Sequence, residues 1–186
     1  MIRAFVAVRI DPEMARKISE AQDSLRAGLK DIRWVAKENV HLTLKFLGAI
    51  AEDRVESIVS RLERALHSMS SFTISARGLG VFPDIRRARV LWVGLEGQSL
   101  GELAREVERA LEPIGFACEE REFRPHLTVG RWRSFNGPAD SLRQALARWE
   151  EHDFGSASIE EVVLFQSMTR PEGAVYVPLR VIRLSN

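Results

Sequence analysis

The sequence predicts an α+β fold in which two small antiparallel sheets, each backed by helices, face each other across a cleft. The main observation is a repeated pattern of strand, helix, His-containing strand, helix and strand. Its offset is 126 minus 41, or 85 residues, the separation of His41 and His126. Each half has too few strands for a wide doubly wound sheet. The first strand is followed by "RIDPEM" and not by the glycine-rich turn of dinucleotide-binding folds.

The first strand and helix of each half have matching patterns. The strands "AFVAVRI" at 4–10 and "RVLWVGL" at 89–95 are rich in β-branched and aromatic residues, as buried strands are. Asp11 followed by Pro12 predicts an N-cap and the first turn of a helix. Apolar residues with helical spacing follow both strands: Met14, Ile18, Ala21 and Leu25 in the first half, and Leu100, Leu103, Val107 and Leu111 in the second.

The later elements follow the same offset. Second helices are predicted at about 53–66 and 138–149, and the strands "FTISARGL" at 72–79 and "ASIEEVVL" at 157–164 come after them. A closing strand, "VYVPLR", is predicted at 175–180. Stretches that contain glycine and proline are predicted as loops: 78–89, 134–140 and 169–174.

The composition is typical of a single folded unit without a membrane segment. With 186 residues, 45% of them hydrophobic, the chain can bury one sizeable core. We expect one bilobal domain over 1–186, with halves at roughly 4–80 and 89–165. The net charge is only +1, so the overall charge does not indicate a protein that binds membranes or nucleic acid. A single cysteine, Cys118, excludes an internal disulfide, and no apolar run approaches the ~18 residues of a membrane span. We expect a cytoplasmic monomer.

Two His-x-Thr tripeptides, His41 to Thr43 and His126 to Thr128, are the strongest functional signal. Two of the four histidines and two of the four threonines lie in them. Residues i and i+2 of a strand share a face, so each motif presents an imidazole and a hydroxyl together. The intervening and following residues then face the core: Leu42, Leu44, Leu127 and Val129. A single such motif is more often a packing feature, but the pair predicts two histidines on opposite sides of a cleft.

Opposed imidazoles are suited to acid/base catalysis near neutral pH. One would take a proton from a nucleophile while the other gives one to a leaving group. Phosphoryl displacement has this in-line geometry, and the threonine hydroxyls would donate to the phosphate oxygens.

Arg131 lies at i+5 from His126, and it would reach the same face through a turn or a bulge. Its counterpart under the offset is Phe46, so one half offers a guanidinium and the other a ring. A phosphate beside Arg131 and a base or ribose beside Phe46 would suit a nucleotide. Core packing is the interpretation we favour for Phe46, and a solvated surface position is the alternative for Arg131.

Other chemistries have weaker support. Neither motif histidine has a second His or Cys at a ligand spacing, and the glutamates before the second motif (Glu119, Glu120 and Glu122) have no counterpart in the first half. No serine has nucleophile-elbow glycines. We therefore expect neither a metal nor another cofactor.

With these motifs the chain resembles the 2H phosphoesterases, and in particular the RNA 2′,3′-cyclic phosphodiesterases, also called 2′-5′ RNA ligases. The resemblance extends over "RAFVAVRIDPE", "RWVAKENVHLTLKFLG", "GLGVFPDIRRARVLWVGL", "EFRPHLTVGR" and "VVLFQSMTRPEGAVY". It implies a bilobal α+β duplication and a metal-independent reaction. In that reaction a 2′,3′-cyclic phosphate on RNA, tRNA fragments included, or on a nucleotide opens to a 2′-phosphomonoester. Some members also join or cleave 2′-5′ linkages.

The resemblance also implies residue roles. His41 would be the proton donor to the leaving ribose oxygen, and His126 the proton acceptor that activates water. Thr43, Thr128 and Arg131 would bind the phosphate. Two alternatives stay open: a related 2H activity on 2′-5′ oligonucleotides or a small cyclic phosphate, and an RNA-end binding module without turnover. Four loop arginines are candidates for contacts with RNA, and the sequence does not show which of them reach it: Arg86, Arg87, Arg89 and Arg170.

Overall fold

A computed structural model describes residues 1–171 and 173–185. Its helices are α1 Pro12–Arg26, α2 Val55–Leu66, α3 Leu100–Leu111 and α4 Ala139–Ala147. Its strands are β1 Ile2–Arg9, β2 Ile32–Trp34, β3 His41–Ile50, β4 Phe72–Phe82, β5 Val90–Glu96, β6 His126–Trp132, β7 Asp153–Ile159, β8 Glu161–Arg170 and β9 Gly173–Arg183.

The strands form two antiparallel sheets that meet at one residue pair. One sheet has the order β7-β4-β5-β6 and the other the order β3-β1-β8-β9. Leu42 of β3 pairs with Leu127 of β6, and this is the one Cα pairing recorded between the two sheets in the described residues. We call it the inter-sheet pair. Short strand β2 pairs with β6 farther along, at Gly130 to Trp132. The predicted α+β fold of two small antiparallel sheets is confirmed.

The helices and sheets share a large apolar core. Asp11 caps α1 as predicted, because its Oδ1 accepts a hydrogen bond from the Met14 amide at 2.9 Å and Pro12 occupies the first turn. A smaller cluster of Phe5, Ala7, Val163 and Phe165 lies on the other face of β1 and β8. Strand β1 is therefore buried on both faces, which explains its continuous apolar run.

Three sequence predictions were wrong in detail. The predicted strand at 157–164 contains the end of β7, a break at Glu160 and the start of β8. The predicted loop at 78–89 is strand as far as Phe82, since β4 is extended by its pairing with β5. In the predicted loop at 169–174, the residues 169–170 and 173–174 are strand, because β8 and β9 pair as far as Arg170 and Gly173, and Glu172 lies outside the described residues. Glycine and proline marked turns that are shorter than the stretches containing them.

Candidate active site

The inter-sheet pair brings the two histidine motifs together. Leu42 and Leu127 are the middle residues of the two His-x-Thr tripeptides, and both are buried. In the antiparallel register that this pair sets, His41 lies opposite Thr128 and Thr43 lies opposite His126. The two histidines are thus diagonal neighbours, a position in which Cβ atoms are about 7 Å apart. Both histidines therefore lie on one side of the two sheets, close enough to contact a single small group.

A β-bulge in each strand adds a further side chain to this face. In β6, Thr128 pairs with Trp92 and Gly130 with Leu91, so Val129 is an extra residue. In β3, Leu44 is extra in the same way. An extra residue reverses the alternation that follows it. Arg131 and Phe46 therefore lie on the same face as the histidines, although each is five residues from its own.

One cavity of about 250 Å³ contains the predicted site residues together. It is lined by His41, Thr43, Phe46, His126, Thr128 and Arg131. Leu42, Leu44, Leu127 and Val129 are buried on the opposite side, as predicted. Arg86, Arg87, Arg89 and Arg170 do not line this cavity.

The expectation that Phe46 packs in the core is wrong. Its side chain is 72% exposed, and its ring lies 6.2 Å from that of Phe5 at the cavity wall. The bulge at Leu44 turns Phe46 outward, while Leu44 itself takes the core position. An exposed ring beside two histidines offers a flat surface to a base or a ribose.

Sequence reasoning missed five polar residues of this cavity. They are Arg3, Asn39, Ser167, Thr169 and Tyr176, and Arg3 pairs directly with Ser167 across β1 and β8. Ser167 and Thr169 are a further polar i, i+2 pair on a strand, which is the signal that identified the histidine motifs. The signal was hidden because Thr169 fell in a predicted loop.

Both imidazoles are held by the same kind of hydrogen bond, from ring Nδ1 to a backbone carbonyl oxygen. His41 Nδ1 donates to the Asn39 carbonyl oxygen and His126 Nδ1 donates to the Arg124 carbonyl oxygen, each at 2.7 Å. A carbonyl oxygen only accepts, so each Nδ1 carries a proton. The Nε2 atoms are then the ones available to exchange protons with a substrate.

Aromatic rings pack around both histidines and reduce their contact with solvent. Phe5 and Tyr176 contact His41, with ring centroids 5.0 and 5.1 Å away, and Phe82 contacts His126 at 5.1 Å. Burial lowers the pKa of both imidazoles below the usual value, and the charge of Arg131 lowers both further. The backbone carbonyls oppose this shift. In the free protein, the neutral imidazoles are favoured down to a lower pH than usual.

One buried polar side chain lies at each of these two bulges. Among the described residues, only Gln22 and Lys45 are buried polar or charged side chains. Gln22 Nε2 donates to the carbonyl oxygens of Val129 and Val35, at 2.8 and 2.9 Å. Lys45, the residue after the bulge at Leu44, forms an ion pair with Glu108 of α3.

We expect Gln22→Leu to lower the free energy of unfolding by about 1–3 kcal/mol, because buried carbonyls lose their donor while the side-chain volume is kept. Urea denaturation measures this. Gln144→Leu on α4 is the matched control, since Gln144 is exposed. Equal stability of the two variants would show that Gln22 does not support the bulge.

The described residues contain neither a cluster of metal ligands nor a membrane-spanning helix. No group of three or more His, Cys, Asp or Glu side chains lies close enough together to hold a metal ion. None of the helices in residues 1–171 and 173–185 is both long and apolar enough to cross a bilayer.

Comparisons with known proteins cover almost the whole chain. A family model described as LigT-like phosphoesterase matches it twice, over residues 8–92 and 93–176. The RNA 2′,3′-cyclic phosphodiesterase of Methanothermobacter thermautotrophicus is 36% identical over 98% of this chain and 99% of that protein. The crystal structure of TT0787 of Thermus thermophilus has a TM-score of 0.84 at 26% identity, covering 98% of each chain. Escherichia coli LigT complexed with 3′-AMP has the same fold, with a TM-score of 0.80 at 23% identity over 100% of this chain and 99% of that one.

Proposed function

Because this chain belongs to the LigT-like phosphoesterase family, we propose that its cavity opens RNA 2′,3′-cyclic phosphates by proton transfer between His41, His126 and the substrate. The chain is an enzyme of the kind for which its relatives are named, a cyclic phosphodiesterase. The observation that carries the mechanism is the diagonal placement of the two imidazoles across the inter-sheet pair. An in-line displacement needs one proton acceptor and one proton donor on opposite sides of phosphorus.

In the proposed reaction, water attacks phosphorus from the side of His126, and His126 Nε2 takes the proton of the attacking water. The bond between phosphorus and the 3′ oxygen breaks on the opposite side. His41 Nε2 gives its proton to that oxygen. The product is a 2′-phosphomonoester with a free 3′-hydroxyl, and exchange with solvent restores both imidazoles.

The two proton roles place different demands on the histidines. His126 must be neutral to accept a proton, and its lowered pKa keeps it so at neutral pH. His41 must be protonated, which its surroundings in the free protein disfavour. The negative charge of a bound phosphate would favour the imidazolium and offset the charge of Arg131. Substrate binding would thus favour the protonated form of His41, which can act as the acid.

In this proposal, four other residues of the cavity bind the substrate. The hydroxyls of Thr43 and Thr128 and the guanidinium of Arg131 donate to the non-bridging phosphate oxygens. The exposed ring of Phe46 supports the base or ribose of the terminal nucleotide.

If a 5′-hydroxyl replaces water, the same proton transfers would form a 2′-5′ linkage. Product analysis of an oligonucleotide mixture would detect that linkage.

The substrates in this proposal are cyclic-phosphate ends of RNA, tRNA fragments included, and nucleotides carrying the same group. We propose a monomer in the cytoplasm as the working form, since the single cysteine suits a reducing compartment. Gel filtration of the purified chain checks the oligomeric state.

The proposal is tested with an oligonucleotide that ends in a 2′,3′-cyclic phosphate, in the presence of EDTA. We expect full turnover to the 2′-phosphate, because neither proton transfer needs a metal. Loss of activity on chelation, reversed by a divalent cation, would contradict the mechanism. A panel with 2′-5′ oligonucleotides and small cyclic phosphates identifies the preferred substrate.

In the same assay, Phe46→Ala should raise KM while kcat is kept, because the ring would contact the base or ribose and not the reacting phosphate. An unchanged KM would show that Phe46 does not contact the substrate.

A further inference from the structure

A second cavity of about 420 Å³ is lined by arginines and one ring. Its residues are Pro83, Arg86, Arg87, Arg89, Ser134 and Phe135, and we call it the arginine groove. It lies between the loop that joins β4 to β5 and the segment that follows β6. The proposed catalytic steps use none of its residues.

Strand β6 connects the arginine groove to the catalytic cavity. Arg131 lines the catalytic cavity, and Ser134 and Phe135 line the groove three and four residues later. The Trp132 amide donates to the Arg89 carbonyl oxygen at 2.9 Å, which attaches the β4–β5 loop to the end of this strand. Four residues span at most about 14 Å. This length corresponds to about four stacked nucleotides at ~3.4 Å each.

Four arginines at and between the two cavities are not neutralised by ion pairs within the described residues. Arg33 on β2 lies directly opposite Arg131 on β6, so two guanidinium groups share one face. No carboxylate within the described residues forms an ion pair with Arg33, Arg131, Arg86 or Arg89, although many other surface arginines have such a partner. Like charges directly opposite each other destabilise a sheet. A bound polyanion would remove that cost.

The loop that carries these arginines is held in a fixed shape. Asp84 Oδ1 accepts hydrogen bonds from the amides of Arg86 and Arg87, and its other oxygen accepts from the Arg87 guanidinium. The Arg89 amide donates to the Phe82 carbonyl oxygen at 2.7 Å. The side chains of Arg86 and Arg89 remain exposed on this frame. Little loop entropy would then be lost when they bind phosphates.

We propose that the arginine groove binds the RNA strand on the 5′ side of the cyclic phosphate, through two or three of its backbone phosphates. This rests on the proposed function, because it assumes that the cyclic end lies in the catalytic cavity. Phe135 is half-buried with its ring 5.5 Å from that of Trp132, and it offers its exposed part to a base. The enzyme would then act on RNA ends in preference to cyclic mononucleotides, which reach only the catalytic cavity.

The test compares cytidine 2′,3′-cyclic phosphate with a hexanucleotide that ends in the same group. We expect kcat/KM to be higher for the hexanucleotide, and this advantage to fall as salt rises, by about 0.7 in log–log slope for each phosphate bound. The double variant Arg86→Gln/Arg89→Gln should lose about tenfold on the hexanucleotide and nothing on the mononucleotide. Arg64→Gln, an exposed arginine of α2, is the matched control.

The outcomes separate this inference from the proposed function. If the hexanucleotide and the mononucleotide are turned over equally well, and the double variant changes neither, the groove does not bind RNA although the catalytic site stands. If neither cyclic phosphate is opened, the proposed function itself fails. If the double variant loses activity on both substrates equally, these arginines act on the catalytic site and the inference is wrong.

Discussion

Replacing His126 by alanine should lower kcat by about 100- to 10,000-fold, and His41→Ala should do the same, because each variant removes one of two proton transfers. KM should change little, since Arg131 and the threonines that bind the phosphate remain. Steady-state kinetics on a cyclic-phosphate oligonucleotide measures both constants. The double variant should lose less than the product of the two single effects, because the two groups act in one step.

His67→Ala is the matched control for these variants. His67 follows α2 and its side chain is exposed, away from the cavity. The control should retain wild-type kinetics, and all three variants should unfold at similar urea concentrations. Near-normal kcat in either His41→Ala or His126→Ala would end the catalytic assignment.

Replacing Arg131 by glutamine should lower kcat/KM by about 100-fold and move the pH profile to higher pH. The loss follows because an ionised donor to the reacting phosphate is removed. The pH shift has a separate cause. Arg131 lowers the pKa of both histidines, so its removal raises both. The acidic limb, where His126 becomes protonated, and the alkaline limb, where His41 loses its proton, should then both move upward.

Arg131→Lys distinguishes charge from geometry. It keeps the positive charge, so its pH profile should stay close to that of the wild type, while part of kcat/KM is lost with the bidentate fork. Arg133→Gln is the control, since Arg133 is exposed and lines neither cavity. A profile of Arg131→Gln that stays in place or moves to lower pH would show that Arg131 does not act on the histidines.

The sequence predicted the face that each residue of the histidine motifs occupies, because that depends only on strand alternation. It could not predict the bulges at Leu44 and Val129, since an extra residue is defined by the partner strand and leaves no mark in its own. For this reason the sequence leaves open whether a turn or a bulge brings Arg131 to the site, and its prediction that Phe46 packs in the core is wrong.

Other parts of the site depend on pairing between distant segments. Tyr176 and Ser167 reach the cavity because β8 and β9 pair over their whole length and β8 adds to β1. No local pattern specifies that pairing. Gln22 likewise looks like an ordinary polar residue of a helix, and only the packing of α1 against the bulge makes it a buried donor.

The central claim is that His41 protonates the leaving 3′ oxygen while His126 activates water. The most direct test is a 2′,3′-cyclic substrate in which sulfur replaces the 3′ oxygen, because a thiolate leaves without a proton. Rates of His41→Ala and His126→Ala are compared on the oxygen and sulfur substrates. We predict that sulfur restores most of the rate lost in His41→Ala and little of that lost in His126→Ala. Equal impairment of both variants on the sulfur substrate, or selective rescue of His126→Ala, would contradict the account.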